Sequence, residues 1–160
     1  MINEIKIRQA TIEDLPKIQK LSLELFKEEQ SKYESAYNND WSFSEEGESF
    51  FKKELTESNR IVFLAEDGKM PIGYLAASSY TDNVFQGPLI FAELVNIFIK
   101  DEYRNRKIGT ELTNKFIEWA KQKNAKRIIV TAHAENINGI KFYEKNGFTD
   151  WHTKLKIDLE

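Results

Sequence analysis

The stretch from Glu93 to Thr110, ELVNIFIKDEYRNRKIGT, constrains this chain more than any other. It begins inside a run, Phe91 to Ile99, that is apolar at most positions. A strand of that kind is covered on both faces and belongs at the centre of a sheet. It runs directly into a polar turn, and the turn opens a helix at Gly109. Such a turn aims backbone N–H groups outward, and the helix dipole adds about half a positive charge there. Arg104, Arg106 and Lys107 surround the same turn. Backbone donors, dipole and cations together suit a diphosphate. The turn is not a P-loop, because GxxxxGK[ST] is absent, nor a dinucleotide fingerprint, because GxGxxG is absent.

The flanking sequence supplies the rest of the architecture. Ile5 and Ile7 alternate with Lys6 as a short strand, and Leu15, Ile18, Leu21 and Leu25 recur at helical spacing. Thr11 or Asp14 can cap that helix; Asp14 is the better choice if Pro16 is to sit in the first turn. Residues 30–43 lack a clean period and read as a loop or irregular helix rich in aromatics. A helix capped by Ser44 runs to about Glu57. Strands at Ile61–Ala65 and Ile72–Ser79 flank the turn signal Asp67-Gly68, and Gly87-Pro88 marks a further turn. Ile108, Leu112, Phe116, Trp119 and Ala120 form a helical stripe, followed by a short strand at Ile128–Ala132. A helix from Asn136 to about Lys145 ends at Asn146-Gly147. Thr153, Leu155, Ile157 and Leu159 alternate with charged residues as a last, half-exposed strand. The order β-α-α-β-β-β-α-β-α-β predicts an α/β (α+β) fold, a mixed sheet with helices on both faces. No repeat or linker divides residues 1–160, so one domain is expected.

Composition narrows the chemistry. The chain has 160 residues, no cysteine and two histidines. That removes disulfides, a thiol nucleophile and thiolate or histidine-rich metal sites. Apolar residues make up 41% and charged residues 31%, as in a folded, water-soluble domain. No apolar run reaches the roughly 18 residues of a membrane span. The start, MINEIKIRQA, has no signal-peptide core, so a cytoplasmic location is expected. The 23 basic and 26 acidic residues give no global reason to expect nucleic acid.

Two motifs resemble those of the GCN5-related N-acetyltransferases (GNAT family). The turn Arg104-Asn105-Arg106-Lys107-Ile108-Gly109 is similar to the family's Arg/Gln-x-x-Gly-x-Gly/Ala, with Lys107 in place of the first glycine. If Lys107 keeps a negative φ, its N–H still donates and its side chain adds charge; if the turn needs φ > 0, lysine is the costlier residue. Asn136 to Phe148, NINGIKFYEKNGF, is similar to Asn-x-x-Ala-x-x-Phe/Leu-Tyr-x-Lys-x-Gly-Phe, with Gly139 for the alanine. The opening IRQATIEDLPKI also has the look of the family, so the resemblance touches residues 5–159. It implies a mostly antiparallel central sheet splayed at its middle strands. It also implies acetyl-CoA as co-substrate, no metal, and direct transfer of acetyl to a bound amine.

The resemblance further implies roles for individual residues. Ile97, Phe98 and Ile99 offer backbone groups to the pantetheine arm, although each also suits the core. Arg104, Asn105, Arg106, Lys107, Ile108, Gly109 and Thr110 take the pyrophosphate. Asn136 reaches the cofactor arm or caps its helix. Tyr143 touches the cofactor and is the general acid for the departing thiolate. Glu93 is the candidate base, at a position where some members carry a carboxylate; Val95, two residues on, stands where others carry one. Water, His133 or no dedicated base are the alternatives, and His152 reads as surface. Tyr33, Tyr37, Trp41 and Phe85, with Glu93, are candidates for the acceptor pocket, since aromatics and carboxylates suit a cation. The partner is an amine on a small molecule or peptide N-terminus, with no nucleic acid and no membrane; a homodimer is admitted. A non-catalytic acyl-CoA-binding module is the alternative function, and a domain with a vestigial site is a third.

Charge is distributed unevenly. Residues 24–58 carry ten acidic and four basic residues, and residues 100–127 carry nine basic and four acidic ones. The basic block coincides with the cofactor turn, and the acidic block with the expected acceptor loops.

Overall fold

A computed structural model describes residues 4–82 and 87–159. Five strands form one sheet in chain order: β1 (Ile5–Gln9), β2 (Arg60–Asp67), β3 (Met70–Asp82), β4 (Leu89–Ile99) and β5 (Arg127–Val130). Neighbours among β1 to β4 run antiparallel, and β5 lies parallel to β4. Helices α1 (Leu15–Lys32) and α2 (Glu45–Thr56) cover one face. Helix α3 (Ile108–Gln122) covers the other, and α4 (Ile137–Lys145) follows β5. The expected mixed sheet with helices on both faces is present.

Strands β2 and β3 are apolar on both sides because they feed two cores. Val62, Leu64, Tyr74 and Ala76 pack under α1 and α2, with Ile18, Leu21 and Phe51. Ile61, Phe63, Leu75 and Ala77 pack under α3, with Ile108, Leu112, Phe116 and Trp119. The period of two along a strand makes this division automatic. Ser44 starts α2 as expected, its Oγ accepting the Gly47 N–H at 3.1 Å. The start of α1 differs from expectation. Asp14 occupies the cap position but makes no cap bond into the helix; its carboxylate turns back to the Thr11 N–H (2.9 Å) and to Arg8.

The expected last strand, Thr153–Leu159, is not formed. Residues 149–159 have no regular structure, and Leu155, Ile157 and Leu159 are 88%, 82% and 87% exposed. Alternation describes which side chains would share a face, but a strand needs a ladder partner. This segment leaves the sheet at Trp151, which stacks on Phe91 and lies against the Arg127 guanidinium.

The splay expected in the middle of the sheet lies between β4 and β5. Their pairing covers only Phe91–Leu94 against Arg127–Val130. Immediately afterwards the β3–β4 register slips, so that Ala77 faces Leu94 and Ala76 faces Asn96, leaving Val95 as a bulge. A bulge bends and twists the strand that carries it. Here β4 continues along β3 to Ile99 while its other edge loses its partner.

Candidate active site

The turn expected to hold a diphosphate is built from unusual backbone. After β4, Asp101–Tyr103 form a 3-10 turn, and α3 begins at Ile108. Asn105 (φ 61°) and Lys107 (φ 65°) are left-handed on either side of Arg106. Backbone alternating in this way turns successive N–H groups toward one side. No side chain caps α3, and its ladder opens with the Glu111 N–H donating to the Lys107 carbonyl at 3.0 Å. The N–H groups of the first turn therefore remain available to an anion, reinforced by the helix dipole. Gly109 brings this turn close to α4: a Cβ there would lie 3.1 Å from the Phe142 ring.

Lys107 thus meets the demanding case, φ > 0, without being glycine. A left-handed non-glycine residue costs roughly 1–2 kcal/mol. Glycine returns part of that through greater freedom in the unfolded chain. Lys107→Gly is expected to stabilise the free protein by about 1 kcal/mol, a rise of roughly 3 °C in a thermal melt. An unchanged or lower Tm would show that the lysine side chain contributes as much as its backbone costs.

The cations around the turn do different work. Arg104 donates from Nε to the Ile99 carbonyl (2.9 Å), and its guanidinium binds Glu28 (2.6 Å) and Asp101 (2.9 Å). It clamps α1 to the end of β4. Arg106 lies over the Tyr103 ring at 5.0 Å. Among the described residues, neither Arg106 nor Lys107 has an ion-pair partner, so these two leave net positive charge at the turn.

The gap between β4 and β5 leads away from this turn. Ile97, Phe98 and Ile99 pair with Leu75, Tyr74 and Gly73 of β3. Ile97 and Ile99 pack against the α3 core, and Phe98 is buried under α1 and α2. Their side chains hold the strand, and the backbone groups on the edge opposite β3 face the gap. Both readings of these three residues are therefore compatible.

Helix α4 closes the other side. Asn136 Oδ1 accepts the Gly139 N–H at 2.9 Å, so Asn136 caps the helix. Gly139 lets the Asn136 amide sit close: a Cβ there would lie 2.5 Å from that side chain, so an alanine would need it to shift. Tyr143 is half-buried, with Phe142 and Phe148 edge-on at 5.4 and 5.7 Å. Among the described residues no group hydrogen-bonds its hydroxyl. Burial, with the nearby charge of Glu29 adding, pushes its pKa up to about 12. The phenol is a protonated donor at neutral pH.

The acceptor candidates separate into two groups. Tyr33 stacks on His133 with centroids 5.4 Å apart, and Tyr37 Oη lies 3.0 Å from His133 Nε2. Trp41 instead packs among Phe26, Phe50 and Phe51, between α1 and α2. Phe85 lies outside the described residues. Glu93 is half-buried on β4, on the face opposite Ala92 and Leu94, and burial raises its pKa. Among the described residues it has no hydrogen-bond or ion-pair partner for its side chain.

Sequence reasoning missed Glu29. On α1 it lies four residues after Leu25, which packs on the core, and four before Tyr33, which stacks on His133. Its carboxylate shares that inward face. The available signal was a glutamate standing in an otherwise apolar stripe.

Among the described residues no cluster of three or more histidine, cysteine, aspartate or glutamate side chains could hold a metal ion. No helix among them is long and apolar enough to cross a membrane.

Known proteins share this fold, and some share part of the sequence. The chain is 30% identical over 102 residues to an uncharacterized N-acetyltransferase of Methanocaldococcus jannaschii, 63% of this chain and 44% of that relative. It therefore spans under half the length of that relative. It is 29% identical over 150 residues to the spermidine N(1)-acetyltransferase of Thermoplasma acidophilum, 90% of this chain and 88% of that one. A mutant of the BH1408 protein from Bacillus halodurans superposes with a TM-score of 0.84 at 15% identity, covering 97% and 99% of the two chains. The aminoglycoside N-acetyltransferase AAC(6')-Iy, in complex with CoA, superposes at 0.73 with 19% identity, covering 98% and 95%. At such identities the superpositions speak for the fold. The family model for acetyltransferases (GNAT family) matches residues 18–148. With that match running over most of its length, through both the turn and the Tyr143 helix, this chain belongs to the GNAT acetyltransferase family.

Proposed function

We propose that the protein is an acetyl-CoA-dependent N-acetyltransferase that moves acetyl directly to a primary amine of a small molecule or peptide. Three separate features support this reading: the uncapped start of α3, the end of β4–β5 pairing at Leu94, and a Tyr143 hydroxyl with no hydrogen-bond partner among the described residues. A phosphopantetheine arm needs an anion site, then backbone partners for its amides, then a proton donor at its sulfur. A cytoplasmic setting, where acetyl-CoA is made and used, belongs to the same reading.

Acetyl-CoA supplies a thioester whose thiolate leaves as the new amide forms. The chain's own residues do the rest. Arg106, Lys107 and the N–H groups of Ile108, Gly109 and Thr110 hold the pyrophosphate; Asn105 shapes their turn, and Arg104 fixes that turn against α1. The edge of Ile97–Ile99 aligns the arm, and the amide nitrogen of Asn136 stays free to add to it. Glu93 takes a proton from the incoming ammonium, so that its nitrogen can form the new C–N bond. Tyr143 gives its proton to sulfur as the C–S bond breaks, and the second proton of the nitrogen, lost as the amide forms, restores the phenol. Tyr33 walls the acceptor side; Trp41 supports that wall from behind through Phe26 and the α1–α2 packing.

Two relatives by name, the spermidine acetyltransferase and the aminoglycoside enzyme, take polycationic amines. Aliphatic amines are accordingly the first acceptors to assay. Wild-type protein should release CoA with such an amine, and acetyl-CoA should raise its melting temperature. Binding without turnover across amine classes would leave an acyl-CoA-binding module, and absence of both would end the reading. In the same assay Glu93→Gln should lose the rising acid limb of the rate–pH profile. Since burial raises the pKa of Glu93, that limb is expected above the ordinary carboxylate range. An unaltered profile would assign the proton to water.

A further inference from the structure

We propose that Glu29 is the ammonium anchor of the acceptor site, the residue that makes this protein prefer acceptors that arrive positively charged. The proposal rests on the acetyltransferase reading and deepens it. Glu28 and Glu29 are adjacent on α1 yet face different places. Glu28 is neutralised by Arg104 and Lys32. Glu29 is half-buried, and among the described residues its carboxylate has neither an ion pair nor a hydrogen bond. A carboxylate held partly out of water without a counter-ion is unfavourable, and an arriving cation relieves that cost.

Its surroundings suit an ammonium group. Leu25 and Tyr33, one turn before and after, place the carboxylate on the face of α1 turned to the sheet. Tyr33 stacked on His133, and Tyr37 bonded to His133, form an aromatic wall beside it. After burial, the charge of Glu29 helps raise the pKa of both Tyr143 and Tyr37, so its field reaches the proposed acid and one side of the wall. Glu93 acts instead on Tyr80, toward the other end of β4. The two unpartnered carboxylates thus serve different points of the acceptor path. Glu29 draws the charged acceptor to the aromatic wall, and Glu93 takes its proton once the amine has left that carboxylate for the thioester.

The test compares an aliphatic amine, charged at neutral pH, with an arylamine, which is not. Glu29→Gln should raise KM for the aliphatic amine by about ten- to a hundredfold, the worth of a hydrogen bond to a charged group. The KM values for acetyl-CoA and arylamine should stay as they were, and Glu29→Asp should restore part of the preference. Equal loss with both acceptors, or an unchanged aliphatic KM, would overturn the proposal. Binding can be read without turnover. The chain has only two histidines, so NMR can follow the His133 ring while butylammonium is titrated into the CoA-bound protein. The ring signals should move in wild type and not in Glu29→Gln. If they move without acetyl transfer, the anchor stands and the enzymatic reading fails. If they do not move in wild type, or move equally in the variant, the anchor fails whatever the activity.

Discussion

Tyr143→Phe should lower kcat by a factor of about 10²–10³ while leaving CoA affinity within roughly twofold, because general acid catalysis typically contributes 10²–10⁴. The substitution removes one oxygen from a ring held by Phe142 and Phe148. No described protein group is left without a partner, so the fold should survive. The phenol is protonated across the working range because its pKa is pushed up to about 12, first by burial and then by Glu29. A thiolate, whose thiol titrates at about 8.5, is the weaker base, so the transfer runs uphill and is completed only as the phenolate regains a proton from the acetylated nitrogen. CoA release can be followed with a thiol reagent, and the chain has no cysteine of its own to react. Calorimetry with CoA supplies the affinity. Equal turnover in the variant would transfer the acid role to solvent.

The largest loss of stability is expected at Arg8. Its guanidinium makes a two-pronged contact with Asp14 (2.7 and 2.8 Å) and donates from Nε to Glu66 at 2.9 Å. Lys17 closes the cluster, 2.7 Å from Glu66 and 3.4 Å from Asp14. Asp14 and Glu66 are 5% and 6% exposed, so the cluster ties β1, β2 and the start of α1 together from inside. Arg8→Met keeps much of the stem but leaves two buried carboxylates with one lysine. Breaking a buried pair in this way costs about 3–5 kcal/mol, or roughly 10 °C in Tm. The deficit should depend on pH. The hydrogen bonds from Arg8 hold Asp14 well below the usual carboxylate range. Burial would raise Glu66, but the bonds from Lys17 and Arg8 outweigh it and lower the group overall. Depressed folded pKa values give stability that is present above the unfolded value, near 4, and lost as pH falls through the folded ones. Without Arg8 much of that contribution is missing at neutral pH, so less remains to be lost in acid. Urea unfolding should therefore show a larger gap between wild type and variant at pH 7 than at pH 4. A gap independent of pH would mean that only the packing of the arginine stem was lost.

What could be read from the sequence was local. The helix stripe ending at Ala120, the Ser44 cap, the Asp67-Gly68 turn and the stop at Asn146-Gly147 each depend on residues within a few positions of one another. The interior place of β4 was legible because period two exposes both faces in one line of text, and Phe91–Ile99 is apolar at most positions. The alternation of Thr153–Leu159 was equally clear and misled, because a strand is completed by a neighbour rather than by its own pattern. The bulge at Val95 left no sign, since it arises from a register between two strands.

Electrostatics divided in the same way. The acidic and basic blocks are real, but they meet in space: Glu24 lies near Lys100 at 3.5 Å, and Glu28 binds Arg104. Part of the contrast is spent holding α1 against the end of β4. The charges left without an ion-pair partner among the described residues include Arg106 and Lys107 at the turn, and Glu29 and Glu93.

By itself, then, the sequence determined the kinds and order of the elements from β1 to α4, though not the fate of Thr153–Leu159, and the turn whose backbone can meet an anion, because these follow from periodicity, capping and residue type along the chain. Only the tertiary structure decided which charges survive mutual neutralisation, where β4 and β5 part, and that Glu29, unlike Glu28, is left without a partner among the described residues. Each of those depends on distances between residues far apart in the chain, which packing alone sets.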